Sequence, residues 1–241
     1  MLPELKDCLQ FANNTTHADK IYKTIGYGSG SLGHVLSHFR ADPDIVDGLK
    51  KLSSAISLAR YVTRVTGTFQ SYDAFRCVSW ALDDDDSLNR LIAKVQAFTM
   101  MLYYPLEHVS YIGFMAPKLI QIDAGKISRQ SCIAWLMYII LDMYANQRRI
   151  RKLALEECSI LEGSDDTDRK KKLPEIRTRK SELHYTQLRN ACLLPTCLHW
   201  SIHEGVLPES VVQYLCCLEA CVGLWRAWTN STRQSERAQR S

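Results

Sequence analysis

The strongest periodic pattern in the chain runs through residues 47–82. At about 100° per residue, Leu49, Leu52, Ala55, Ile56, Ala59 and Val62 gather on one side of a helix, and Lys50, Ser53, Ser57, Arg60 and Arg64 on the other. The pattern predicts one long amphipathic helix with a basic, serine-rich polar face. Such a helix either packs on a protein core or lies in the plane of a membrane with its cations toward anionic head groups.

The remaining segments are also helical in period. Residues 3–12 form a short helix with Leu5, Leu9 and Ala12 in register, and residues 20–40 a helix weakened by Gly26, Gly28, Gly30 and Gly33. Asp42-Pro43-Asp44 stops one helix and starts the next. Four acids, Asp83 to Asp86, suit the N-terminus of the helix that follows. That apolar, aromatic segment, 88–122, is kinked or broken by Pro105 and Pro117. A turn at 123–126 leads to an apolar helix over 128–157 that becomes basic at Arg148, Arg149, Arg151 and Lys152. Residues 161–182, polar and charge-blocked with a glycine and a proline, read as a flexible linker. Two apolar helices within 183–230 read as a hairpin, and 231–241 as a polar tail. Alternating strand patterns and hairpin turns are absent, so the expected class is all-α. The domain plan is an N-terminal helical region over 1–160, the linker, the C-terminal hairpin and the tail.

Composition changes this picture little. The 241 residues are 46% hydrophobic and 23% charged, with a formal net charge of +4, which carries no general nucleic-acid signature. Nine cysteines sit mostly in apolar runs, and acids and a proline occupy residues 1–10 where a secretory signal would be apolar. Free thiols facing a reducing compartment are therefore expected. No run of about 18 uncharged apolar residues marks a membrane span: 98–122 contains Glu107, His108 and Lys118, and 206–228 contains Glu209, Glu219 and Arg226.

Candidate chemistry is sparse. Gly28-Ser29-Gly30-Ser31-Leu32-Gly33 fits G-x-G-x-x-G but lacks the strand before it that a dinucleotide site needs, so a closely packed or flexible helix segment is expected instead. Cys192, Cys197, His199 and His203 lack a C-x-x-C pair and are broken by Pro195, so no metal site is assigned. Glu107-His108 and His203-Glu204 are sequence neighbours, which do not face each other on a helix. No nucleophile elbow, P-loop or H-E-x-x-H occurs. No enzymatic activity and no cofactor are expected. Lys170, Lys171, Lys172, Arg177, Arg179 and Lys180, with Arg169, form a basic block opposed only by Glu175. It reads as a solvated linker, or as a loop for an anionic leaflet or a targeting receptor; lacking aromatics, it is not a nucleic-acid surface. Tyrosines and tryptophans near the ends of the apolar segments suit a membrane–water interface or a core.

Four stretches together resemble the peroxin eleven family of peroxisomal membrane-elongation proteins: His17 to Tyr27; Lys51 to Arg60; Tyr104-Pro105-Leu106-Glu107-His108-Val109; and 188–228, with Arg189-Asn190, Leu194-Pro195 and Leu198-His199-Trp200. The glycine cluster in the first helix departs from the family pattern. The resemblance implies a peroxisomal membrane protein that promotes curvature, elongation and organelle division and that self-associates. Its partners would be an anionic lipid membrane, a second copy, the organelle-division machinery and a membrane-protein import receptor. Leu49, Leu52, Ile56, Ala59, Val62, Lys50, Arg60 and Arg64 are then the membrane-binding residues, the apolar ones expanding one leaflet while the basic ones hold the anionic surface. Two other readings stand: a solute pore with Glu107, His108, Glu209 and Glu219 on a wet path, and a helical interaction scaffold.

Overall fold

The computed structural model describes residues 8, 11–163 and 166–240, and these carry helices and no strands. The residues fall into two compact units. Unit 1 comprises Met1–Val65 with Glu204–Ser241, and unit 2 comprises Thr66–His203.

Unit 1 contains α1 (Thr15–His38), α2 (Pro43–Thr63) and α7 (Glu209–Arg240). Asp42 caps α2 by accepting a hydrogen bond from the Asp44 amide at 2.9 Å, with Pro43 in the first turn. α1 packs antiparallel on both α2 and α7. Gly26, Gly30 and Gly33 make the close approach to α2 possible. A Cβ on Gly30 would stand 2.7 Å from Ser53 Oγ and 2.6 Å from Gln213 Oε1, and one on Gly26 would stand 3.0 Å from Ile56. The cluster is thus a packing face, the second of the two readings open in the sequence, and Gly28 alone has open space around it.

Unit 2 is a series of neighbours, α3 (Gly67–Cys77) on α4 (Ser87–Met115), α4 on α5 (Ala124–Gly163), and α5 on α6 (Asp166–Ser201). The Asp86 carboxylate caps α4 by accepting from the Asn89 amide at 2.8 Å. Pro105 lies inside α4, which ends before Pro117, where the preceding residue is driven out of helical conformation. Two apolar clusters hold α5 to α6: Ile139 with Leu193 and Cys197, and Leu153 and Ile160 with Ile176.

Three expectations change. The single helix over 47–82 is two helices in different units, α2 and α3. The break falls at Arg64, Val65 and Thr66, where a run of β-branched residues meets Gly67, and α3 stops at Val78, which adopts a left-handed φ of 54°. The linker expected at 161–182 is largely helical. α5 runs to Gly163 and α6 starts at Asp166, because Ile176 is buried against Leu153 and Ile160 and the basic side chains find carboxylates on neighbouring segments. Residues 164 and 165 lie outside the described set. The two C-terminal helices have separate packing partners, α6 on α5 and α7 on α1, and α7 continues through most of the expected tail to Arg240. Of the expected first helix over 3–12, residues 3–7, 9 and 10 lie outside the described set; residues 8, 11 and 12 are helical. All nine cysteines are free thiols.

Candidate membrane interface

In unit 1, α2 and α7 each bury a charged side chain, Arg60 and Glu219, and each exposes a stripe of apolar residues. On α2 the buried side chains are Val46, Ser53 (4% exposed) and Arg60 (6%). The outward positions Ile45, Leu52, Ala55, Ala59 and Val62 recur at spacings of seven, three, four and three, with Leu52 47% and Val62 57% exposed. Arg60 donates from Nε and Nη2 to the two carboxylate oxygens of Asp19 on α1, at 2.9 and 3.2 Å. Burial pushes the Asp19 carboxyl up, but the hydrogen bonds and charge of Arg60, with Arg64 and Lys23 nearby, outweigh it and hold it below its ordinary value. On α7, Glu219 is buried and paired with Lys23, while Tyr214, Leu218, Cys221 and Trp225 face outward.

Unit 2 repeats this arrangement. The inward face of α4 carries Asn89, Gln96, Thr99, Tyr103, Glu107 and Ser110. Between Val95 and Met115 every exposed position is apolar, including Phe98, Leu102, Val109 and Ile112. One group of interior polar side chains bonds across three helices. Asp142 on α5 accepts from Gln96 Nε2 at 3.1 Å, Asn146 Nδ2 at 2.8 Å and Asn190 Nδ2 at 2.6 Å, and Tyr103 donates to Glu107. The ring contacts Tyr103–Trp135 (5.7 Å) and Trp135–Trp200 (6.1 Å) join the same three helices. The result is an outward apolar band on α4, α5 and α6, about 30 Å tall along α4, comparable with the hydrocarbon core of a bilayer. Among the described residues no single helix is long and apolar enough to cross a membrane. Between Val95 and Met115 the polar residues that lower the hydropathy of α4 are buried or half-buried ones, Gln96, Thr99, Glu107, His108 and Ser110, while Arg90 and Lys94 are exposed in its first two turns.

One end of the band is charged. Asp85 pairs with Arg149 through two bonds, Nε at 2.9 Å and Nη2 at 2.5 Å; Asp84 meets Arg179 at 2.8 Å and Lys152 at 3.3 Å; Asp86 pairs with Arg148. Glu157 pairs with Lys180 at 2.7 Å and Arg177 at 2.9 Å. Asp84, Asp85 and Asp86 therefore pair with Lys152, Arg149 and Arg148 of α5, and Asp86 also caps α4.

The structure distributes the eight proposed membrane-binding residues unequally. Leu52, Ala59, Val62 and Lys50 face outward. Leu49 and Ile56 are half-buried against the α1 glycines, Arg60 is interior, and Arg64 lies over the Tyr61 ring at 5.1 Å. In the basic block, Arg177, Arg179 and Lys180 are engaged with carboxylates, Lys170 and Lys172 are exposed, and the Lys171 side chain lies outside the described set. Of the four pore candidates, Glu107 and His108 belong to unit 2, and Glu209 and Glu219 to unit 1. Among the described residues no three His, Cys, Asp or Glu side chains converge as a metal requires. The outward stripes of α4, α5 and α7 were missed in the sequence. Their signal was present as seven-residue recurrence, but the inward polar residues read there only as interruptions of a span.

A model of the family "Peroxisomal biogenesis factor 11 (PEX11)" matches residues 5–228. The chain is 25% identical to "Peroxisomal membrane protein 11B" of Pongo abelii and 24% identical to the protein of that name from Homo sapiens, in each case over 153 residues. Each match takes in 63% of this chain and spans 57% of the relative's length. No solved structure matches.

Proposed function

The chain belongs to the peroxisomal biogenesis factor 11 family, proteins of the peroxisomal membrane, and from that premise we propose that it promotes membrane curvature, elongation and division of peroxisomes. The observation that carries this reading is the set of exposed apolar stripes on α2, α4, α5 and α7, set beside ion pairs and amides in the interior of both units. In water an outward face such as Val95–Met115 is unfavourable; against acyl chains it is not. In this reading α2 lies at the head-group boundary, with Ile45, Leu52, Ala55, Ala59 and Val62 toward the acyl chains and Lys50 toward lipid phosphates. Fully burying a Leu or Val side chain is worth about 1.5–3 kcal/mol, enough for the stripe to hold the helix in one leaflet. Insertion expands that leaflet and bends the bilayer, and self-association concentrates the effect. Arg60 contributes by fixing α2 to α1 through Asp19, leaving lipid contact to other side chains. The division machinery and the import receptor remain partners implied by the resemblance.

The test is the full chain with vesicles containing anionic lipid, followed by flotation and electron microscopy. The wild type is expected to float and to tubulate the vesicles. Leu52→Glu with Val62→Glu is expected to abolish tubulation while leaving the melting temperature within a few degrees, since both side chains face outward. Unchanged tubulation by that variant would remove α2 from the mechanism.

A further inference from the structure

A cleft of about 500 Å³ opens between α5 and α6 at the charged end of the unit 2 band, lined by Glu157, Arg177, Lys180, Ser181, His184 and Leu188. Neither capping nor core packing accounts for it. Its polar lining descends one face of α6: Arg177, Ser181 and His184 follow at spacings of four and three, and Leu188 comes one turn below. Leu188 is also an outward apolar residue of α6, and Ala191 and Leu198 continue the same stripe, with Ile202 just beyond the helix end. A ligand in the cleft thus meets cations at one end and an exposed apolar track at the other. Glu157 is a single carboxylate held between two cations, so this trio carries a net positive charge. The Arg177 side chain is 62% exposed and its guanidinium is open to an incoming anion. Hydrogen bonds from Lys180 and Arg177 hold the Glu157 carboxyl below its ordinary value, so it stays ionised and paired with them.

We propose that this cleft binds the phosphate of an anionic glycerophospholipid, with Arg177 and Lys180 on the phosphate and an acyl chain lying along Leu188 and Ala191. The shared chemistry with free phosphate is the cationic pair; the acyl track distinguishes the lipid. The inference rests on the membrane reading above, because only a chain seated at a bilayer presents Leu188 to acyl chains. In the bound state the lipid phosphate takes the donors that Glu157 holds, so Glu157 acts as a competitor built into the site.

The competing carboxylate supplies the test. The full chain in dodecyl maltoside is titrated calorimetrically with dihexanoyl phosphatidic acid, dihexanoyl phosphatidylcholine and inorganic phosphate. Phosphatidic acid is expected to bind, with inorganic phosphate at least about tenfold weaker because it lacks the acyl contact. Arg177→Ala with Lys180→Ala is expected to weaken phosphatidic acid by about tenfold. Because that variant also removes two ion pairs from the α5–α6 contact, Glu157→Gln is the decisive one. It keeps both cations and removes their competitor, and is expected to tighten binding about threefold or more. A structural role for the trio alone would not tighten it. Unchanged or weaker binding in Glu157→Gln, inorganic phosphate equal to phosphatidic acid, or phosphatidylcholine equal to phosphatidic acid would each overturn the proposal. Flotation of the same proteins separates the two readings. If all float and the titrations ignore these substitutions, only the cleft falls; if the wild type does not float, the membrane reading falls and the cleft with it.

Discussion

Gly28 and Gly30 lie two residues apart on α1 and have different neighbours. Gly30 faces Ser53 and Gln213 closely enough that any Cβ displaces one of them, whereas Gly28 has nothing within 4 Å. Gly30→Val is expected to destabilise the chain by about 2 kcal/mol in urea unfolding, and Gly28→Ala to stabilise it by about 0.5–1 kcal/mol through helix propensity. Equal effects from the two would show that α1 does not meet α2 through this face. Asp85 gives the residue-scale pH dependence. Burial raises its pKa, but bonding to Arg149, the Leu82 amide and Asn89 outweighs this and lowers it. A depressed carboxyl contributes stability that is complete above its ordinary value, near pH 4, and is lost as pH falls through the folded value. Asp84 is depressed in the same way, burial opposing and Arg179 and Lys152 prevailing. Urea midpoints are therefore expected to hold from pH 7 down to about pH 5 and to drop below about pH 4. Arg149→Ala, which leaves Asp85 without its guanidinium, is expected to cost about 3 kcal/mol at neutral pH and to flatten that acid transition.

At the scale of elements, α2 shows how far a periodic pattern reaches. Its amphipathic character was legible in Leu49, Leu52, Ile56 and Val62, because helical spacing is a local property. The side that packs inside was not, because two apolar arcs flank the helix and only the α1 glycines select between them. Ile56 and Leu49 meet the glycines, while Leu52 and Val62 do not. The distinction is measurable. Ile56→Glu is expected to lower the melting temperature by several degrees, as for an unpaired charge in a packed face, whereas Leu52→Glu is expected to leave it nearly unchanged and to reduce vesicle binding. Similar melting of both variants would contradict the assignment of faces. α6 shows the opposite failure. Residues 166–182 read as linker because their charge is high, yet lysine and arginine are good helix formers, and Ile176 with the carboxylates of Asp84 and Glu157 supplies the tertiary contacts that composition cannot reveal.

Over the whole molecule the exposed apolar stripes govern the outcome, and they yield a prediction that α2 alone does not. Membrane attachment is expected to survive about 0.5 M salt, because the bands on α4, α5 and α6 are apolar and screening acts on charges. Flotation abolished by salt would restrict the contact to the cations of α2. The amino-acid order by itself determined the all-helical class, the helix starts at Asp42 and Asp86, the amphipathic pattern within 47–82 and the resemblance to the family, since spacing, caps and motif order are properties of neighbouring residues. Only the tertiary structure decided that Arg60 belongs to Asp19, that Arg177, Arg179 and Lys180 of the basic block pair with acids distant in sequence, that one expected helix is divided between two units, and that Glu107 and Glu219 are interior. Those are pairings between segments far apart in the chain. A polar residue in an apolar helix reads the same in sequence whether it meets water, lipid or a partner, and only the neighbouring helix distinguishes them.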